Sequence, residues 1–301
     1  MRIGGQRAVA GLCGVVVLLA GGCQSVPRSG QTDAVAAIRI ERFAHGTHGG
    51  LGAARGVAVR DGFVYVLGAR DTGLIREYRV PDRALCLEYT GRELRLTQDG
   101  RELIPDPSGL THHPEHGTYL GGTLDERSVL VSIDWQRLLD DGNLDHAVLH
   151  IVEDDLATGG TRPEFVRFAG RWLLATADNG ATDGHVRLYD PLVLAAAQRT
   201  SDPDVLVAEI PCGPSVQALH WIDGRELLVL VQNRTAGLGW RLTFVQFGRD
   251  NDFRLARPFE HFPTQDGLRG VHAWGADRLI FVTASAVRNV WFGDVDFRAL
   301  D

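Results

Sequence analysis

The chain has 301 residues, with 31 basic side chains against 38 acidic ones and a formal net charge of -7, a balance that excludes a broad nucleic-acid footprint. All 31 basic residues are Arg and Lys is absent, which excludes a Walker-type phosphate lysine, Schiff-base chemistry and a Ser/Lys dyad. At 44% hydrophobic and with 36 Gly, the sequence can bury a core while turning often.

Arg2 and Arg7 precede an apolar run from Ala8 to Ala20, too short to span a bilayer but of the size of a secretory signal. The run ends in Leu18-Leu19-Ala20-Gly21-Gly22-Cys23, which resembles the lipobox of bacterial lipoproteins. That resemblance implies removal of residues 1–22 as a signal peptide and acylation of Cys23. With Gln24 following the Cys, it also implies retention at the outer membrane of the cell envelope, facing the periplasm. Acyl chains of this kind, palmitate among them, hold a protein on a membrane without a spanning segment. Residues 23–36 are polar and read as a flexible tether, which leaves a single folded domain over 37–301. Cys86 and Cys212 are then the two cysteines of the folded domain.

From there the sequence repeats. Segments beginning at Arg55, Ser108, Pro163, Gln217 and Arg269 are spaced by 53, 55, 54 and 52 residues. Each is followed by a turn (Asp61-Gly62, His116-Gly117, Ala169-Gly170, Asp223-Gly224, Ala276-Asp277) and then by an apolar run of strand composition, such as Phe63 to Leu67 or Leu227 to Val231. A third strand follows each loop, as in Ile75 to Val80 or Arg241 to Phe247. A fourth completes the first four units, at Leu85 to Tyr89, Val148 to Val152, Val205 to Ile210 and Phe253 to Pro258. Asp134 and Asp190 are placed as N-caps of two short helices, over Trp135 to Leu139 and Leu192 to Ala197. Four short antiparallel strands repeated at this period specify propeller blades. The fifth unit lacks an outer strand, and Ile38 to Phe43 supplies one. The expected fold is therefore all-β, a five-bladed β-propeller with four-stranded antiparallel blades, its ring closed by an N-terminal strand. In such a ring Cys86 and Cys212 are too far apart to bridge, and two free thiols are expected.

Loops leading into the inner strands and loops joining second to third strands meet on one channel face. They bring Arg55, Ser108, Arg162, Gln217, Asn233 and Arg269 to it as candidate ligand-binding residues, with Gln232, Asp178 and Asn179 among the neighbours. A lining of Arg, carboxylate and amide groups suits a polar or anionic small molecule, bound without turnover. Two sharper readings compete. Asp106, Glu164 and Asp178 resemble the three-acid site of five-bladed glycoside hydrolases, which implies general acid and base roles on a carbohydrate. Glu164, Asp178 and Asn233 resemble the oxygen ligands of six-bladed lactonase-like propellers, which implies calcium as a cofactor and a lactone substrate. His112, His113, His116, His220 and His272 read as packed or solvent-exposed histidines, and Trp240 as a platform on which a sugar could stack. Besides the membrane anchor at Cys23, no partner protein and no nucleic acid is implied, and a monomer is expected.

Overall fold

The computed structural model describes residues 37–296, except 46, 48–49, 82–85, 181, 183, 234–238, 249–252, 256–258, 260–265 and 286–287. The signal, Cys23 and the tether lie outside the described residues. Strand β1 (Ala37–His45) comes first. Blade 1 follows as β2 (Ala53–Arg60), β3 (Phe63–Ala69), β4 (Gly73–Arg79) and β5 (Glu88–Arg95). A small hairpin, β6 (Thr97–Gln98) with β7 (Arg101–Glu102), separates it from blade 2, which is β8 (Gly109–His113), β9 (Gly117–Leu124), β10 (Arg127–Ile133) and, after helix α1 (Trp135–Asp141), β11 (Val148–Glu153). Blade 3 is β12 (Glu164–Phe168), β13 (Arg171–Ala177), β14 (His185–Tyr189) and, after α2 (Pro191–Leu194), β15 (Leu206–Pro211). Blade 4 is β16 (Val216–Ile222), β17 (Leu227–Asn233), β18 (Trp240–Phe247) and β19 (Phe253–Leu255). Blade 5 is β20 (Leu268–Ala273), β21 (Arg278–Thr283) and β22 (Val290–Asp296), and β1 pairs antiparallel with β22 as its fourth strand. The five-bladed ring closed by an N-terminal strand is thus as expected, and closure by the chain's own first strand removes an exposed sheet edge.

Alternation along the second strands explains why they read as unbroken apolar runs. In β3, Val64 and Val66 pack with Ile280 and Val282 of blade 5, while Tyr65 and Leu67 pack with Leu120 and Val131 of blade 2. In β17, Leu228 and Leu230 join blade 3, and Leu227, Val229 and Val231 join blade 5. A strand between two neighbours has no solvent face, so both alternate sets must be apolar. The core is accordingly five inter-blade layers, in which each fully buried Val or Leu contributes about 1.5–3 kcal/mol.

Three features differ from the sequence reading. The fourth strand of blade 1 runs Glu88–Arg95, later than Leu85 to Tyr89, and the β6/β7 hairpin was not foreseen. Its turn carries Asp99 and Gly100 at φ 51° and 72°, and Leu96 N, just before it, bonds back to Gly73 O. Both N-caps are where expected, Asp134 accepting from Arg137 N and Asp190 from Leu192 N and Val193 N, while α2 runs Pro191–Leu194 and stops short of Ala197.

The inner strands approach closely at the channel, and small residues permit it. A Cβ on Gly270 would lie 2.9 Å from Val57 N and 3.1 Å from Gly56 Cα, both backbone atoms that cannot step aside. Gly270→Ala is expected to lower unfolding stability by about 1–3 kcal/mol through overpacking, measurable in a urea titration. Cys86 and Cys212 are free, as expected. Cys212 is buried and its thiol is pushed up to about 12, chiefly by burial and then by the Asp178 charge. In the native protein at pH 8, thiol reagents are expected to modify Cys86 and leave Cys212 untouched until unfolding.

Candidate functional site

Three blades share one local irregularity. The pairing of inner with second strand slips between Ala54 and Gly56 in blade 1, between Val216 and Ala218 in blade 4, and between Leu268 and Gly270 in blade 5. The extra residues of these bulges are Arg55, Gln217 and Arg269. A bulge re-aims the side chain it carries, and here it brings the three together with Arg162, which precedes the inner strand of blade 3.

Gln217 holds two of the arginines. Its backbone carbonyl accepts from Arg162 Nε at 3.3 Å, and its Oε1 accepts from Arg269 Nη1. Its amide also touches the side chain of Asn179, whose oxygen, in the orientation the hydrogen-bond network favours, accepts from Arg162 Nη2 at 3.0 Å. Arg55 Nε lies 2.9 Å from Asp106 Oδ1, an ion pair whose N–H is not aligned for a hydrogen bond. Ser108 Oγ donates to Thr161 O at the neighbouring blade start.

The charges do not balance. Arg162 is 8% exposed, and its guanidinium is brought down to about 10, first by burial and then by the charge of Arg269, with Arg55 adding to the effect and Asp106 opposing it. Arg269 is lowered too, by burial and then by Arg55. Three cations therefore sit within electrostatic reach of one another with Asp106 as the counter-charge. Arg55 Nε, Arg162 Nη1 and Arg269 Nε are buried without a hydrogen-bond partner. This is a preformed set of donors facing a missing acceptor.

The structure does not bring the three acids of the hydrolase reading together. Asp106 is at the arginine mouth, with its side chain 53% exposed. Glu164 is in the channel beside Thr111, 4.0 Å from His220 Nδ1. Asp178 is committed to holding a loop: Oδ1 accepts from Arg187 Nη1 at 2.7 Å and Thr158 N at 2.8 Å, and Oδ2 accepts from His185 N at 3.1 Å. The calcium reading meets the same difficulty, because a cation approaching Asp178 meets the Arg187 guanidinium, and Glu164, Asp178 and Asn233 do not fit that ion. Asn233 Oδ1, near Gly267, is buried without a partner, and Asn233 takes no part in the arginine cluster. Among the described residues, the His, Cys, Asp and Glu groups close enough to share a metal are His113, Glu115 and His116 on the β8–β9 turn. There the His113 and His116 rings stack on each other instead of converging, and His113 Nδ1 already accepts from Glu115 N.

Two further assignments change. Gln232 is structural, its amide bonded to Cys212 O, Pro214 O, Arg241 and Thr243. Trp240 is 2% exposed in the layer between blades 4 and 5, so it offers no stacking face to a sugar. No helix of the described residues is long and apolar enough to cross a membrane.

No protein-family model matches the sequence, and no curated protein is detectably similar to it. Among solved structures, the chain is similar to a luciferin-regenerating enzyme at 11% identity and a TM-score of 0.51, covering 87% of this chain and 95% of that one. It is also similar to the calcium structure of a Trichoderma reesei carbohydrate-active enzyme of family AA12 (9% identity, TM-score 0.47, 89% and 98% covered). A third likeness is to a Thermus thermophilus oxidoreductase (glucose dehydrogenase) at 15% identity and a TM-score of 0.46, covering 86% and 100%. Some matched chains are longer, and this one spans 59–60% of their length. At identities this low the likeness is one of fold, and the chain is built as a β-propeller.

Proposed function

We propose that this chain is a ligand-binding protein, tethered to the cell envelope by acylated Cys23, whose propeller holds a small doubly charged anion where Arg55, Arg162 and Arg269 meet. The observation that carries this reading is the set of three guanidiniums around the Asp106 carboxylate, each with a buried N–H that makes no hydrogen bond. Three positive charges less the one on Asp106 leave two to be neutralised, which suits a phosphate monoester or a dicarboxylate better than a monoanion. The same inventory supports binding without turnover: the carboxylate at the mouth, Asp106, is paired with Arg55, while Glu164 and Asp178 are engaged elsewhere.

Arg269→Gln tests the site with little disturbance, since an amide fills much of the same space. Calorimetric titration with inorganic phosphate is expected to show at least a 30-fold loss of affinity, as for one partner removed from a buried charge pair worth about 2 kcal/mol or more. Unchanged affinity would place the ligand elsewhere. The tether is tested separately: mass spectrometry of membrane-extracted protein is expected to find Cys23 as an acylated N-terminal residue. Cys23→Ser should release the protein into the soluble fraction, and an unmodified wild-type chain that still sediments with membranes would contradict the anchor.

A further inference from the structure

We propose that the opposite end of the channel carries a second binding site, formed between blades 1 and 2, for a small uncharged molecule bearing hydroxyl groups. A cavity of about 110 Å³ opens there, with Arg60, Tyr65, Thr111, Trp135, Glu164 and His272 in its wall. It is smaller than the roughly 150 Å³ cavity that accommodates benzene, which limits an occupant to about the size of glycerol.

Its polar groups are poised for an oxygen that both accepts and donates. Trp135 is 5% exposed, and its Nε1–H is buried without a partner. His220, 3% exposed and behind Glu164, uses Nε2 to accept from Ala273 N at 2.9 Å, so its proton resides on Nδ1, which also has no partner. Glu164 Oε2 is 4.0 Å from that Nδ1, too far for a direct hydrogen bond but a suitable gap for one intervening oxygen. His272 donates Nδ1–H to Ala273 O at 3.0 Å, which leaves its Nε2 as an acceptor. In the wall an unsatisfied donor (Trp135), an acceptor (His272) and a carboxyl group (Glu164), with the His220 donor behind the carboxyl, complement hydroxyls, which carry both functions.

The surroundings disfavour either charge. Burial holds Glu164 well above the usual carboxylate range. It also lowers His272 to about 4 and keeps His220 well below the usual imidazole value, with the His272 ring adding to the effect on His220. Burial thus works against a charge on each of the three groups. A cation entering meets the Arg60 guanidinium, 5.3 Å above the Trp135 ring. An anion finds Arg60 already paired with Asp61 at 3.2 Å and no other positive group in the wall. Tyr65, edge-on to Trp135, completes an aromatic wall suited to C–H groups.

The six Trp indole N–H groups give six resonances in a ¹⁵N-labelled sample, and Trp135→Phe identifies one of them. Titration with glycerol is expected to move the Trp135 resonance saturably, in the millimolar range, and to leave the other five in place. Propionate and propylammonium should not move it. Glu164→Gln is expected to bind within twofold of wild type and Glu164→Leu at least tenfold more weakly, while Arg269→Gln leaves the titration unchanged. A Trp135 resonance indifferent to glycerol would mean that the cavity holds water alone and would overturn the proposal. Equal movement with the charged probes, or a linear drift of all six signals, would overturn it as well.

Discussion

Asp178→Ala is expected to lower unfolding stability by about 3 kcal/mol, the cost of removing the buried partner of a buried cation and leaving Arg187 only the half-exposed Glu209, 2.8 Å from its Nε. The carboxylate is 1% exposed and receives Arg187 Nη1 and two backbone N–H groups, and Arg187 is itself buried. Burial alone would raise the Asp178 carboxyl, but the Arg187 hydrogen bond and Thr158 N–H outweigh it and bring the group below its ordinary value. A depressed native value means that the stabilisation is complete above the unfolded value of about 3.9 and is lost as pH falls through the native one. Acid denaturation monitored by circular dichroism should therefore lose part of its steepness in the variant. A stable variant that instead loses an enzymatic activity would restore Asp178 to the role of a reacting acid.

Arg162→Met is expected to do the opposite to stability while destroying the site. The side chain is buried, opposed by Arg269 and Arg55, and has one nitrogen with no partner. Its hydrogen bonds to Gln217 O and Asn179 return about 1.5–3 kcal/mol each at best, against a desolvation penalty of several kcal/mol for the ion. Because its native value lies below that of an ordinary guanidinium, the charged form is disfavoured by folding at every pH below about 10, with relief as pH rises through that value. Methionine keeps the aliphatic bulk and removes the charge, so the free protein should gain about 1 kcal/mol or more and the thermal midpoint should rise. Phosphate binding should fall below detection. A group that costs stability in the empty protein and is needed with ligand is the mark of a functional residue.

Much of this was legible in the sequence, for identifiable reasons. The period near 53 residues places Arg55, Ser108, Gln217 and Arg269 at equivalent positions, and ring closure by Ile38 to Phe43 follows from the strand missing in blade 5. The shared channel face of Arg55, Arg162 and Arg269 was legible; the aim of Arg55, Gln217 and Arg269 into one cluster was not, because it depends on bulges at Ala54/Gly56, Val216/Ala218 and Leu268/Gly270, which leave no compositional trace. Asp178 and Asn179 are adjacent in sequence and equally polar. What separates them is Arg187, on the next strand, which takes the first and leaves the second for Arg162. His220 reads as a packed or solvent-exposed histidine and Trp135 as the first residue of a short helix, and both are buried. Only the tertiary structure shows that each keeps a donor without a partner. The β6/β7 hairpin was missed because its Asp99-Gly100 turn falls inside a stretch that the repeat assigns to a connection.

The central claim, a site for a small dianion, is tested most directly by calorimetry with methyl phosphate at pH 5 and pH 7.5, with methanesulfonate alongside as a monoanion of similar shape. A phosphate monoester gains its second charge near pH 6, while Arg162, brought down only to about 10, keeps its charge across the range. Affinity for methyl phosphate is expected to rise at least tenfold between the two pH values, with methanesulfonate weak and flat throughout. Equal, pH-independent binding of both compounds, or no heat from either, would contradict the claim.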